Sequence, residues 1–277
     1  MLHKLYISTL LLAALDVAAH TGCTSSENAT DATPTPPRGH GQPEIIGGST
    51  VPRGDDLFMA GVRKSSWGLS ICGAALIAPT YVLTAGHCVD DSINYVAVGT
   101  RYNIGGLDGE RIRIKRKIMH PEYVELFDTP FNDWAILELE TPSTIKPIRV
   151  SFDDSPVGTV GTVRGWGRIM NGVLGPPSLV LKQVDVKIWD NDKCNAAIQA
   201  ASKGTYPHIR SSNVCAGGVQ GEDVCQGDSG GPLTITQNGE DVVVGVVSWG
   251  YECGLANTPG VYARLSAAKA FISPFLV

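Results

Sequence analysis

The chain has 277 residues, of which 43% are apolar and 18% are charged, and its formal net charge at pH 7 is −5. This composition is typical of a globular protein and excludes wholesale disorder. Because the charge balance is acidic, neither nucleic acid nor a membrane surface is expected as a partner.

The first 44 residues are predicted to be absent from the mature protein. Lys4 is followed by an apolar run, residues 5–19, that is too short and wrongly flanked for a membrane span. Cleavage after Ala19 would make residues 1–19 a signal peptide, so the protein is expected to be secreted and extracellular. Residues 20–44 are rich in Ser, Thr, Pro and Gly, which predicts a flexible pro-segment before a domain at 45–277.

Seven cysteines bear on the fold, and Cys23 lies in the pro-segment. Six thiols in a secreted domain predict three disulfides, and counting alone leaves about fifteen pairings open. A metal site is the competing use, but the sequence has no Cys-x-x-Cys or His-x-x-x-His spacing to favour it. The six cysteines after Ile45 are Cys72, Cys88, Cys194, Cys215, Cys225 and Cys253.

From residue 45 onward the chain alternates short apolar runs with turn residues. Runs at 95–98, 135–140 and 242–247 predict strands, and many short strands favour a β-sandwich or β-barrel. The basic run 111–118 alternates with isoleucine, which predicts a strand with one apolar and one solvated face. Few helices are expected: an alanine-rich one at 195–203 and a last turn that Ser266 caps.

Three segments carry candidate catalytic residues, and each has a plainer interpretation. His87 precedes a cysteine and taken alone is a structural histidine, while Asp133 opens an apolar strand and taken alone is a turn residue. Ser229 lies in Cys225-Gln226-Gly227-Asp228-Ser229-Gly230-Gly231-Pro232, where flanking glycines let backbone amides converge on one point. The length of that run, with the other two segments upstream, disfavours a glycine-rich turn without chemistry.

Together these segments resemble a trypsin-like member of the chymotrypsin family of serine proteases, and the order His, Asp, Ser fits that family. The resemblance implies an all-β fold of two packed antiparallel six-stranded β-barrels, at about 45–150 and 151–265, with a short C-terminal helix. It covers residues 45 to about 265 and rests on Ile45-Ile46-Gly47-Gly48, Thr84-Ala85-Gly86-His87-Cys88, Asn132-Asp133, Gly165-Trp166-Gly167, Gly227-Asp228-Ser229-Gly230-Gly231 and Ser248-Trp249-Gly250.

The resemblance also implies roles for individual residues. Ser229 would be the nucleophile, His87 the general base and then acid, and Asp133 the group that orients the histidine. Ser248 would hydrogen-bond the aspartate, and the amides of Gly227 and Ser229 would form the oxyanion hole. The implied disulfides are Cys72–Cys88, Cys194–Cys215 and Cys225–Cys253. No cofactor and no metal are expected, because the loop at 100–110 lacks one of the two glutamates with which relatives bind calcium.

The resemblance also implies a specificity pocket for Arg or Lys, with Asp223, six residues before the serine, at its bottom; taken alone, Asp223 is a solvated loop acid beside Glu222. Val224, Gln226, Ser248 and Trp249 would form its walls, and Gly250 and Gly260 would keep it deep. A fixed charge at the end of such a channel favours a cationic side chain. Val224 removes a hydrogen bond to a lysine ammonium and so favours Arg slightly over Lys.

Relatives of this kind are made as zymogens, in which cleavage frees an α-ammonium that pairs with a buried aspartate. Here the new terminus would be Ile45 and its partner Asp228. Glu44 precedes the cut, and an Asp223 pocket would repel it, so a separate activating protease is expected.

Two questions remain open at the level of sequence. Glu252 stands where glycine is usual at the pocket mouth, and it would either attract cationic substrates or obstruct the entrance. The alternative function is a weak or inactive homologue that serves as a protein-binding or inhibitory module. The expected partners are protein or peptide substrates with Arg or Lys before the cut, the activating protease and proteinaceous inhibitors, and the protein is expected to be a monomer.

Overall fold

The computed structural model describes residues 48–126, 129–168 and 175–276. The predicted signal peptide, residues 1–19, the pro-segment, residues 20–44, and Ile45 lie outside the described residues. Within those ranges the chain forms strands β1 (Ser49–Thr50), β2 (Met59–Arg63), β3 (Ser70–Ala78), β4 (Tyr81–Thr84), β5 (Tyr95–Val98), β6 (Glu110–Met119), β7 (Val124–Leu126), β8 (Thr129–Phe131), β9 (Ala135–Leu139), β10 (Arg149–Val150), β11 (Val160–Gly165), β12 (Lys182–Lys187), β13 (Asn213–Gly217), β14 (Pro232–Gln237), β15 (Glu240–Trp249) and β16 (Pro259–Arg264).

The first barrel is a closed antiparallel ring in the order β2-β3-β4-β9-β6-β5. Strand β6 explains how alternation builds it, because Ile112 is buried while Arg111 and Arg113 on either side are exposed. The basic run is therefore a strand with one apolar face, as its sequence predicts. Inward side chains such as Val62, Leu83 and Ile136 fill the interior.

The second barrel consists of β11 to β16, in the order β12-β11-β14-β15-β16-β13, with β1 added beside β12. Its two end strands do not share a ladder. They meet at one bridge between Ile188 and Ala216, and at a bond of 2.9 Å from the Trp189 amide to the Cys215 carbonyl. The predicted all-β fold of two barrels is confirmed, and the second barrel differs from the first in this incomplete closure.

Both helical predictions need correction at their ends. Helix α1 spans Asn191–Ala201 and starts four residues earlier than expected, because the Asp190 carboxylate accepts hydrogen bonds from the amides of Asp192 and Lys193. The C-terminal segment is a 3₁₀ turn at Leu265–Ala268, helix α2 at Lys269–Ile272 and a second 3₁₀ turn at Ser273–Phe275. Ser266 caps neither, since its hydroxyl donates to Asp154 at 2.7 Å.

The two barrels meet where the candidate residues lie. The Gly73 amide of the first barrel donates to the Ser229 carbonyl of the second at 2.8 Å. A Cβ on Gly73 would lie 2.9 Å from the Cα of Gly231, so the contact requires a residue without a side chain. This close approach places the serine turn against β3, next to Cys72, whose disulfide partner Cys88 follows His87.

Candidate active site

His87 lies in a 3₁₀ turn, Gly86–Cys88, directly after β4. The disulfide Cys72–Cys88 fastens this turn to β3. A Cβ on Gly86 would lie 2.6 Å from the Tyr123 ring, so glycine lets that ring cover the turn. The backbone of His87 is therefore held from two sides.

Asp133 stands just before β9 and is 2% exposed. Its carboxylate accepts three hydrogen bonds: from the His87 amide at 2.9 Å, from His87 Nδ1 at 2.8 Å and from the Ser248 hydroxyl at 2.6 Å. Three donors offset the cost of burying a carboxylate, and they join the first barrel to β15 of the second. The preceding Asn132 has φ 49°, a left-handed conformation that asparagine tolerates and that turns the carboxylate inward.

The His87 imidazole is tuned by opposing effects. Burial lowers the pKa, but the hydrogen bond and charge of Asp133, helped by the charge of Glu125, outweigh it and raise the pKa above 6.5. Because Nδ1 must carry a proton to donate to Asp133, Nε2 is the basic nitrogen of the neutral ring.

Ser229 lies in a turn between Gly227, with φ 100°, and Gly230, with φ 80°. The Gly230 amide donates to the Val247 carbonyl at 2.8 Å, next to Ser248. Gly230 also packs on the Thr84 side chain, three residues before His87. The turn therefore places the serine between the two segments that hold Asp133 and His87.

The hydrogen bond expected between Ser229 and His87 is not formed. Over the described part of the chain, the Ser229 hydroxyl has no hydrogen-bond partner, and His87 Nε2 lies 3.8 Å from Cys88 Sγ. Hydrogen bonds between a nucleophile and its base are often long without substrate and tighten when the substrate binds. His87 and Asp133 are therefore hydrogen-bonded to each other, whereas Ser229 is not hydrogen-bonded to His87.

Two backbone amides are left without acceptors in this turn. No acceptor in residues 48–126, 129–168 or 175–276 pairs with the amides of Gly227 and Ser229, whereas the Asp228 amide donates to Cys225. Unsatisfied donors at a positive-φ glycine form a concave site for a negatively charged oxygen.

Asp228 is fully buried beside this turn. Its two carboxylate oxygens accept from the Gly167 amide at 2.7 Å and the Cys225 amide at 3.0 Å. Complete burial raises its pKa to about 6, and the two N–H donors oppose that rise. A Cβ on Gly165 or Gly167 would collide with the carboxylate, which explains the glycines of the Gly-Trp-Gly motif. None of the lysines or arginines that the structure describes forms an ion pair with Asp228.

A cavity of about 210 Å³ opens next to Ser229. Asp223 is 2% exposed, and its oxygens accept from the Val224 amide at 2.8 Å and the Gly254 amide at 2.9 Å. Burial raises its pKa to about 7 against those two hydrogen bonds. Ser229, Glu252 and the disulfide Cys225–Cys253 also line this cavity. All the predicted pocket residues are in its lining: Asp223, Val224, Gln226, Ser248, Trp249, Gly250 and Gly260.

Comparison with known proteins assigns the chain to a family. The family model described as trypsin matches residues 45–272. The chain belongs to the trypsin family. The resemblance to trypsin-like serine proteases is thereby confirmed.

Similar proteins include some named as inhibitors and some named as proteases. The chain is 37% identical to glucanase inhibitor protein 2 of Phytophthora sojae over 84% of this chain and 79% of that one. It is 39% identical to trypsin zeta of Drosophila melanogaster over 74% of each. Among solved structures it is similar to neuropsin, a serine protease expressed in the limbic system of mouse brain, with a TM-score of 0.72 and 27% identity over 83% of this chain and 99% of that one.

The structure joins the three cysteine pairs that the resemblance implies: Cys72–Cys88, Cys194–Cys215 and Cys225–Cys253. In the part of the chain described, one cluster could hold a metal ion, formed by Cys72, His87 and Cys88, and its two cysteines are in a disulfide. The helices of the described residues are too short or too polar to cross a membrane.

Sequence reasoning missed one buried polar group close to this cavity, the hydroxyl of Tyr262, which belongs to the core of the second barrel. The Tyr262 hydroxyl is fully buried and has no hydrogen-bond partner, and its oxygen would lie 3.5 Å from a Cβ on Gly260. Gly260 and Tyr262 are two positions apart on β16 and so face the same side. The alternation of side chains along β16 is the sequence pattern that places Tyr262 on the same side as Gly260.

Proposed function

We propose that the protein is a secreted serine endopeptidase that cleaves peptide bonds after Arg or Lys through an acyl-enzyme. The observation that carries this proposal is the hydrogen-bonded series Ser248–Asp133–His87, next to a cavity that contains both Ser229 and Asp223. Membership in the trypsin family and the three disulfides support it.

The proposed reaction follows from the arrangement of donors and acceptors. His87 Nε2 takes the proton of Ser229 as the serine oxygen attacks the carbonyl carbon, and the amides of Gly227 and Ser229 hold the developing oxyanion. The imidazolium then donates its proton to the leaving amine while Asp133 stabilises its charge. Water enters, the same histidine activates it, and the acyl-enzyme is hydrolysed.

Specificity is proposed to come from Asp223. The carboxylate is desolvated and has no cation among the described residues, so its raised pKa reflects an unpaired charge. A guanidinium or ammonium that enters the cavity supplies the missing positive charge. An apolar side chain would leave the carboxylate buried and unpaired, which is unfavourable.

Activation is proposed to depend on the new amino terminus at Ile45. Asp228 is buried with two N–H donors and, among the described residues, no side-chain cation, the environment that an α-ammonium would complete. Glu44 precedes the cut and fits an Asp223 pocket poorly, so a separate protease is expected to activate the zymogen. Edman sequencing of the natural mature protein tests this, and a first residue other than Ile45 contradicts it.

A direct test of the enzyme uses the full chain with an engineered protease site immediately before Ile45. After cleavage, peptide amides that end in Arg, Lys or Phe are compared, with Ser229→Ala as control. Turnover of the Arg and Lys substrates alone, lost in the variant, is expected. Equal turnover of the Phe substrate contradicts the assigned specificity.

A second candidate function is that of a protein-binding or inhibitory module with weak or no activity. One observation favours it: several similar proteins are named glucanase inhibitor proteins. Under this alternative, the cleaved protein does not react with a serine-directed phosphonate but binds a glucanase with measurable affinity. Covalent labelling of Ser229 by the phosphonate, together with no glucanase binding, contradicts the alternative.

A further inference from the structure

We propose that the cleft selects substrates with a second basic side chain at one of the two positions before the cleaved Arg or Lys. The inference rests on the proposed protease function and deepens it by naming paired basic residues as the substrate class. Two acidic side chains outside the triad, Glu252 and Glu125, carry it.

Glu252 places a second carboxylate in the wall of the cavity whose floor contains Asp223. It is exposed, and over the described residues it forms no hydrogen bond and no ion pair. One cation in the cavity neutralises one carboxylate. It is expected to pair with Asp223, because a buried carboxylate is stabilised more by a cation than the exposed Glu252 is. The rim therefore keeps a negative charge after the cleaved residue is bound.

Glu125 is the second charge, and it lies near His87 in the other barrel. It lies in β7, is exposed, and accepts a hydrogen bond from the Tyr123 hydroxyl at 3.2 Å. The Tyr123 ring covers the turn that holds His87, and the charge of Glu125 contributes to the raised pKa of that histidine. A substrate bound at Ser229 and His87 therefore meets the charge of Glu125 as well as that of Glu252.

The cavity itself indicates a cationic ligand, independently of these exposed charges. The Asp223 carboxylate in its lining is buried and accepts hydrogen bonds from two backbone amides, but it has no cation among the described residues. A bound cation with N–H donors would supply the missing positive charge.

One cation, Arg210, opposes the attraction of Glu125 for a basic substrate side chain. Arg210 stacks over the Phe131 ring, with its guanidinium carbon 3.7 Å from the ring centroid, and so lies beside the same hairpin as Glu125. Exposed pairs contribute little each, so we expect about a two- to fivefold effect from each carboxylate. The effect should decline with ionic strength, because the screening length shortens to about 3 Å in 1 M salt.

The test measures binding, so it does not depend on turnover. The cleaved full chain carrying Ser229→Ala is titrated with fluorescent peptides that end in Arg and have lysine, or its uncharged isostere norleucine, at each of the two preceding positions. We expect about five- to tenfold tighter binding of the lysine peptide at low salt. Glu252→Gln and Glu125→Gln should each reduce that ratio, and Arg210→Gln should increase it.

Glu140→Gln is the matched control, because Glu140 is exposed and outside the cleft, and it should leave the ratio unchanged. A ratio near one in the Ser229→Ala protein, or an unchanged ratio in the Glu125/Glu252 double variant, overturns this inference while leaving Arg recognition intact. Failure of every Arg peptide to bind overturns the proposed specificity as well. The two failures are therefore distinguishable.

Discussion

Replacing Asp223 with serine removes the charge at the floor of the cavity and tests the proposed specificity directly. The carboxylate is 2% exposed and is held by the amides of Val224 and Gly254. The substitution removes both hydrogen bonds but also removes a buried charge without a cation. These two effects on the free energy of unfolding have opposite signs, so the variant should fold.

The expected loss is large because the Asp223 carboxylate is buried. Two unit charges about 4 Å apart interact by about 4 kcal/mol at an effective dielectric constant of 20, which corresponds to roughly a thousandfold in kcat/KM. Because burial raises the pKa of Asp223 to about 7, substrate must displace a proton below that pH. The full effect therefore appears near pH 8, where most of the carboxylate is already ionised.

The assay compares kcat/KM at pH 8 for matched amides ending in Arg and Phe, with thermal unfolding as the check on folding. Turnover of the Arg substrate should fall roughly a thousandfold and that of the Phe substrate by less than about tenfold. Glu222→Gln, the exposed acid next door, should change neither. Retention of Arg turnover within tenfold, or an equal loss on both substrates, would refute the reasoning.

Three further outcomes follow from the same geometry. As pH falls, protonation of His87 lowers kcat. Protonation of Asp223 raises KM for Arg substrates below about pH 7. Initial rates measured at several pH values should therefore show the two effects in different kinetic parameters. Ser248→Ala removes a charge-assisted hydrogen bond to Asp133 worth about 1.5–3 kcal/mol, which should lower kcat roughly 10- to 100-fold without changing KM by as much; an unchanged kcat contradicts this role. Gly260→Ala places a methyl group no closer than 3.4 Å to any neighbour, so the protein should fold normally but bind Arg substrates roughly tenfold more weakly, as measured by KM.

The strands and the glycine-rich serine turn were predictable because local patterns indicate them, whereas the pocket was predicted from the family resemblance. The alternation of isoleucine and basic residues in β6 and the glycines around Ser229 are visible in the sequence itself. The start of α1 was missed because the alanine-rich run suggested a later beginning, whereas the Asp190 carboxylate sets the first turn. Side-chain capping depends on a single residue, and it can override a propensity averaged over many.

Features that depend on contacts distant in sequence were less accessible. Glu125 reaches the site only because Tyr123 packs on Gly86, and a hairpin position does not disclose that contact. The unpartnered Tyr262 hydroxyl is a property of its surroundings and not of any motif. Whether Ser229 and His87 form a hydrogen bond likewise depends on how the two barrels align.

That alignment has a consequence for spectroscopy. The Asp133 carboxylate belongs to the first barrel, and the Ser248 hydroxyl that reaches it at 2.6 Å belongs to the second. The proton on His87 Nδ1 shares that carboxylate, so its chemical shift reports on how the two halves of the molecule are seated against each other. Following this one resonance by NMR during heating or denaturant titration would reveal slippage between the halves before either of them unfolds.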